Sequence, residues 1–251
     1  MSHKYDEALL SYGAGVNSTA MAIMLINEGW RGPIVFADTG CEWPETYCFM
    51  DYFEEEWLRP RGMEIVRLRG LPWQPYRKGV TLIEYCEYAC VIPLPAVRWC
   101  TSRWKVEPVQ RWGKEHGIEQ QLLGIAADES HRQRQKVRPL VDRYIGRKEC
   151  ISIIEHENLS VPRRSGCYIC PFQRDHQWRE LWDIHAELFK RAMRLEEGAK
   201  RTKSGRTRAT LDPRGRITLR QRKFRYETQL PMLDDAEMDD LLAYRPCVCG
   251  L

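Results

Sequence analysis

The chain has 251 residues, 43% of them hydrophobic, enough to bury one substantial core with appendages. No stretch approaches the roughly 18 uninterrupted apolar residues of a membrane span, and the N-terminus, MSHKYDEALL, lacks the apolar segment of a secretory signal; a cytoplasmic protein without a membrane partner is expected. Ten cysteines in such a reducing compartment point to free thiols or metal ligands rather than disulfides. The formal charge of +4 hides an asymmetry, because Lys200 to Arg225 holds 11 basic residues and one acid, Asp212, while 28 basic residues face 34 acidic ones elsewhere. Such a run attracts a polyanion such as nucleic acid, or is simply a solvated loop.

Ala8-Leu9-Leu10-Ser11-Tyr12 is a short apolar run ending in glycines, and residues 18–29 are apolar almost all round; together they predict a buried strand, a tight loop and a core-facing helix. Residues 34–37 form a second such run, ending at Asp38-Thr39-Gly40, after which Pro44-Glu45-Thr46 opens a helix with proline in its first turn. Residues 63–68 and 121–125 are two further candidate strands, and residues 81–90 and 103–116 carry helical patterns. Strands alternating with helices predict an α/β fold, a parallel twisted sheet with helices on both faces.

Beyond Asp128 the alternation fades. Residues 129–164 are polar, contain Pro139 and Pro162, and predict mostly loops. From residue 176 to 197, Trp178, Leu181, Trp182, Leu188, Phe189 and Ala192 fit one face of a single helix. A short acidic helix is expected over 234–244. The chain thus divides into a nucleotide-binding α/β domain over 1–130 and an irregular region over 131–251 with a C-x-x-C, a helix, the basic segment and a terminal Cys-Gly-Leu.

Phosphate binding at a strand end needs backbone N–H groups facing a concavity, a helix N-terminus, and glycines that let the phosphates approach. Ser11, Gly13, Ala14, Gly15, Asn17 and Ser18 supply that combination, although a glycine pair also serves a plain tight turn. The loop is neither Walker A, having no Gly-Lys-Ser/Thr, nor the dinucleotide fingerprint, lacking its third glycine. Asp38 and Thr39, at the end of a strand, lie where open α/β sheets bind ligands.

Four ordered segments, from Leu10 to about Phe172, resemble the phosphoadenosine phosphosulfate (PAPS) reductase family within the PP-loop ATP pyrophosphatases. The family loop Ser-Gly-Gly-Lys-Asp-Ser is matched by Gly13-Ala14-Gly15-Val16-Asn17-Ser18, with a cation and a carboxylate lost at Val16 and Asn17. Asp38-Thr39-Gly40 followed by Pro44-Glu45-Thr46 is similar to the family's Asp-Thr-Gly and Pro-Glu-Thr, and implies contacts to adenosine or support of the loop. Gly124 followed by Glu129-Ser130 and Arg132 resembles the family's glycine, Glu-Ser and arginine; an arginine customary after the glycine is Ala126 here. The resemblance implies an adenine nucleotide, ATP or a phosphosulfated one, with Mg²⁺, and charge on phosphate from Lys105 and Arg132.

Cys167-Tyr168-Ile169-Cys170-Pro171 places two thiols where they can share one metal or cluster, and Cys100 with either Cys86 or Cys90 completes a four-cysteine set. Tetrahedral zinc and merely buried thiols are the alternatives. In iron–sulfur members of the resembling family, such cysteines hold a [4Fe–4S] cluster. Cys41, Cys48 and Cys150 read as structural. The ending Cys249-Gly250-Leu251 is similar to part of the family's Glu-Cys-Gly-Leu-His nucleophile motif, with Val248 for the glutamate and no histidine.

Three functions follow. The first is an ATP pyrophosphatase that activates a substrate for sulfur transfer to nucleic acid, served by a cysteine desulfurase as sulfur donor. The second is a PAPS or adenosine phosphosulfate reductase using Cys249 as thiolate and thioredoxin as electron donor. The third is a non-catalytic nucleotide- or nucleic-acid-binding module.

Overall fold

The structure, a computed structural model, describes residues 4–69, 80–131, 137–163, 165–199, 210–212 and 214–228. Strand β1 (Ala8–Tyr12) is buried along its whole length because both its faces are covered. Ala8, Leu10 and Tyr12 point into one core and Leu9 into another, which is why the strand reads as a continuous apolar run. Strands β2 (Ile34–Asp38), β3 (Ile65–Arg69) and β4 (Gln120–Leu123) complete a four-stranded sheet in the order β3-β2-β1-β4, every pairing parallel. The chain steps outward from β1 to β2 and β3, then returns to the other side of β1 for β4. That reversal opens a crevice beyond the carboxyl ends of β1 and β4, the place where ligands enter open α/β sheets.

Helices cover both faces, as the alternation predicted. On one face lie α1 (Val16–Asn27) and α2 (Pro44–Phe53), the latter running on into a π turn over Glu54–Leu58. On the other lies α5 (Glu107–Glu115), reached through α3 (Leu82–Ala89), the short α4 (Trp99–Thr101) and a π turn, Ser102–Val106. Val109 of α5 meets Leu9, Val35 and Ala37 of the sheet. α3 starts on a capping box, with Glu84 accepting from the Thr81 N–H and hydroxyl and Thr81 Oγ1 accepting from the Glu84 N–H.

Residues 129–164, expected to be mostly loops, contain two helices among their described residues. These are α6 (Pro139–Asp142) and α7 (Arg147–His156), and α7 packs on α1 with Cys150 and Ile154 in the same core. Glu157, just past α7, accepts from Trp57 Nε1 at 2.8 Å and Asn27 Nδ2 at 2.8 Å, joining three elements of that layer. The expected single helix over 176–197 is two, α8 (Asp175–Ile184) and α9 (Ala186–Gly198). His185 leaves helical geometry (φ −129°, ψ 56°) and its imidazole meets Glu45 of α2 at 2.8 Å.

A second core gathers α3, α8, α9, the C-x-x-C and α10 (Leu219–Glu227). Within the basic segment, Glu196 accepts from Thr210 Oγ1, Leu211 N and Leu219 N at 2.7–2.8 Å, and buried Arg222 pairs with Asp212 and Asp175. This described part is therefore an ordered turn and helix. Residues 200–209 of the basic segment and the expected helix over 234–244 lie outside the described residues. Among the described residues no helix is long and apolar enough to cross a membrane.

Candidate active site

The loop between β1 and α1 turns through Ala14, a non-glycine residue in the left-handed region (φ 52°). Gly15 is the N-cap of α1 and offers no side-chain cap, so the first-turn N–H groups keep the partial positive charge of the helix end. Ser18 braces the loop from inside: its hydroxyl accepts from Gly13 N–H at 3.2 Å and donates to the Gly15 carbonyl at 3.1 Å. Two glycines mark close approaches. A Cβ on Gly124 would stand 2.7 Å from the backbone of Ser18, and one on Gly15 would stand 2.7 Å from Ser165 Oγ. Ser11, at the end of β1, is buried with a hydroxyl lacking a hydrogen-bond partner among the described residues.

Asn17, read as a loop residue, is the second residue of α1 and is buried. Its amide nitrogen donates to Glu129 Oε2 at 3.1 Å and its oxygen accepts from Arg147 Nη1 at 3.3 Å. Glu129 is 4% exposed, so it is a buried carboxylate and not part of a solvated turn. Arg147 went unnoticed in the sequence because it lies in the stretch that lacked periodicity. The signal that marks it is Gly146 followed by Glu149, whose carboxylate accepts the Gly146 N–H at 3.0 Å and starts α7.

At the end of β2, Asp38 Oδ1 accepts from Gly40 N–H at 2.8 Å and from the Tyr47 hydroxyl at 2.6 Å. Burial, then the hydrogen bond to Asp38, pushes the Tyr47 phenol far above its ordinary range, so it stays a donor. Gly40 adopts φ 70°, and a Cβ there would collide with Thr81, so the start of α3 is pressed against this turn. Thr39, fully buried, donates to Glu42 Oε1 at 3.2 Å and its hydroxyl stands 3.4 Å from Cys167 Sγ.

Glu42 is the centre of a second constellation. Its Oε1 accepts from Lys105 Nζ at 3.0 Å and from the Cys167 thiol at 3.4 Å, and its backbone bridges Cys167. A pocket beside it is lined by Thr39, Leu82, Cys100, Lys105, Cys167, Ile169 and Cys170. Three of the candidate ligands are thus brought to one cavity. Cys86 is buried in the same core, and its thiol is pushed up by burial and next by neighbouring Cys100. The Cys100 thiol is also raised by burial, against the pull of Thr101 and Lys105. Cys90 caps α3 in the left-handed conformation, and its thiol turns back to the Glu87 carbonyl at 3.8 Å. Among the described residues no three His, Cys, Asp or Glu side chains are arranged to share a single ion. Arg132 and Cys249 lie outside the described residues.

A family model for the phosphoadenosine phosphosulfate reductase domain matches residues 7–145. Among solved structures, the chain is similar to the crystal structure of phosphoadenylyl-sulfate (PAPS) reductase from Candida auris in a phosphate complex. The identity is 15% and the TM-score 0.46, over 63% of this chain and 76% of that one. No curated protein matches the chain.

Proposed function

Since this chain belongs to the phosphoadenosine phosphosulfate reductase domain family, we propose that it holds an adenine nucleotide on the β1–α1 loop and carries out sulfur chemistry at the adjoining cysteine pocket. In the reading we favour, it is an ATP pyrophosphatase that activates a substrate for sulfur transfer to nucleic acid. The contact between Thr39 and Cys167, 3.4 Å long, carries this reading, because it joins the strand end that would face the nucleotide to the C-x-x-C.

With MgATP as substrate, the N–H groups at the start of α1 hold the phosphates and Asp38 orients the adenosine side. An acceptor oxygen forms a bond to the α-phosphorus as the α–β anhydride bond breaks and pyrophosphate leaves. Lys105 and Arg132 stabilise the charge that develops on the leaving group, and positioning with electrostatics provides most of the acceleration. The basic segment would receive the nucleic-acid acceptor.

Cys100, Cys167 and Cys170 around one pocket, with Cys86 in the same core and the apolar Leu82 and Ile169 beside them, are the thiols that would hold a [4Fe–4S] cluster in this reading. Such a group, when bound, would carry or position sulfur. Its signature is about four irons per chain and an absorbance band at about 400 nm; stoichiometric zinc without iron would instead assign the thiols to a zinc site.

Family membership itself favours a second reading, sulfonucleotide reduction, in which the Cys249 thiolate attacks the sulfate sulfur, the adenosine phosphate leaves, and thioredoxin releases sulfite. One experiment separates the two. Anaerobically purified protein is incubated with MgATP and, separately, with PAPS and reduced thioredoxin, and pyrophosphate and sulfite are assayed. Pyrophosphate release is expected. Sulfite that disappears in Cys249→Ser would overturn the ranking, and neither product would mark a binding module.

A further inference from the structure

The β1–α1 loop has a concave backbone and a helix end but no cationic side chain between Gly13 and Ser18. A helix N-terminus carries only about half an elementary charge, against the several negative charges of a polyphosphate. Arg147 stands at the loop, with Nη1 3.3 Å from Asn17 Oδ1, although 130 residues separate the two in sequence. Its backbone is fixed there, because it is the first residue of α7 and α7 packs along α1. Its side chain is half-buried and reachable from solvent.

Asn17 explains how the arginine is held. A neutral amide accepts from the guanidinium through oxygen and donates to the buried Glu129 carboxylate through nitrogen, so one side chain bridges the two charged neighbours. A carboxylate at this position would face Glu129 at about the same distance and repel it. Arginine presents a planar fork of N–H donors that matches phosphate oxygens in pairs.

We propose that Arg147 is a further cation that reads the polyphosphate on the β1–α1 loop, with Asn17 as the positioning residue that holds its guanidinium there. The proposal rests on the nucleotide reading given above, and names a residue that reading does not use.

The test is calorimetric titration of the full-length protein with MgATP, pyrophosphate and adenosine. Arg147→Gln should weaken MgATP and pyrophosphate about 10- to 100-fold, the size of a lost charge-assisted hydrogen bond, and leave adenosine unchanged. Arg147→Lys should recover part of the loss, keeping the charge without the fork. In an Asn17→Ala background the Arg147→Gln loss should shrink. An equal fall for adenosine, or an unchanged affinity for MgATP, would overturn the proposal while leaving nucleotide binding intact. An undiminished loss in the Asn17→Ala background would overturn the positioning role. Wild-type protein that binds none of the three ligands would sink the nucleotide reading and this proposal together.

Discussion

The two halves of the candidate site are built by different means. The loop half is made of backbone: strand ends, two glycines pressed against neighbours, and a helix terminus resting on a sheet whose central strand is buried on both faces. The thiol half is made of side chains, with Glu42 gathering Thr39, Lys105 and Cys167, and with α8 to α10 closed over the cysteines by the carboxylates of Glu196, Asp212 and Asp175. A backbone site tolerates side-chain exchange and fails when space is filled. A side-chain site fails when one charged partner is removed, because the others are left buried and unmatched.

The sharpest way to break this comparison is at Glu196. Replacing it with alanine leaves the buried Leu211 and Leu219 N–H groups without their acceptor and the Thr210 hydroxyl with the Ile217 carbonyl alone, a loss of about 3 kcal/mol. Thermal unfolding should fall, and thiol labelling of Cys86 and Cys100 should accelerate while Cys150, in the first core, stays protected. Equal acceleration at Cys150 would mean that both cores open as one unit.

Gly124→Ala tests the other half. The added methyl meets backbone rather than a flexible side chain, so about 1–3 kcal/mol of strain and a loss of nucleotide affinity are expected by calorimetry. Gly15→Ala meets only Ser165 Oγ, which can rotate away, so its effect should be smaller in both measurements.

Alkaline pH weakens both cores through their thiols. Burial pushes Cys150 up to about 12 from an ordinary 9.0, against the opposing pull of Arg147. The folded protein therefore holds a proton that the unfolded chain releases. This contribution is complete below pH 9 and is lost as the pH climbs towards 12. Urea midpoints measured across that range should fall less steeply in Cys150→Ala than in wild type. The smallest effect is expected at Ala14→Gly, where relief of the left-handed strain and a more flexible unfolded chain nearly cancel, a net change of about 0.5 kcal/mol or less.

Much of the loop half was legible in the sequence because its signals are local. Buried strands read as apolar runs, glycines punctuate their ends, and Pro44 marks the start of α2. What escaped was carried by distance or disguised by charge. α7 carries its apolar side chains, Cys150, Ile151, Ile153 and Ile154, in one short run flanked by Arg147, Lys148, Glu149 and Glu155, too short to show a helical period, so it read as loop. The break at His185 has no proline or glycine to announce it and depends on Glu45, 140 residues away. Glu42 lies between Asp38-Thr39-Gly40 and Pro44-Glu45-Thr46, but its role as acceptor for Lys105 and Cys167 emerges only when the fold brings those residues together.

Gly15 lies against Ser165, two residues before Cys167, so the loop that would take phosphate and the loop that carries the C-x-x-C share a wall. Occupancy on one side of a shared wall is thermodynamically reciprocal. Whatever factor a seated metal or cluster contributes to nucleotide affinity, the nucleotide must return in full to the hold on that metal or cluster. A chelator titration with and without MgATP reads that factor directly, and makes the wall between the two halves a measurable quantity.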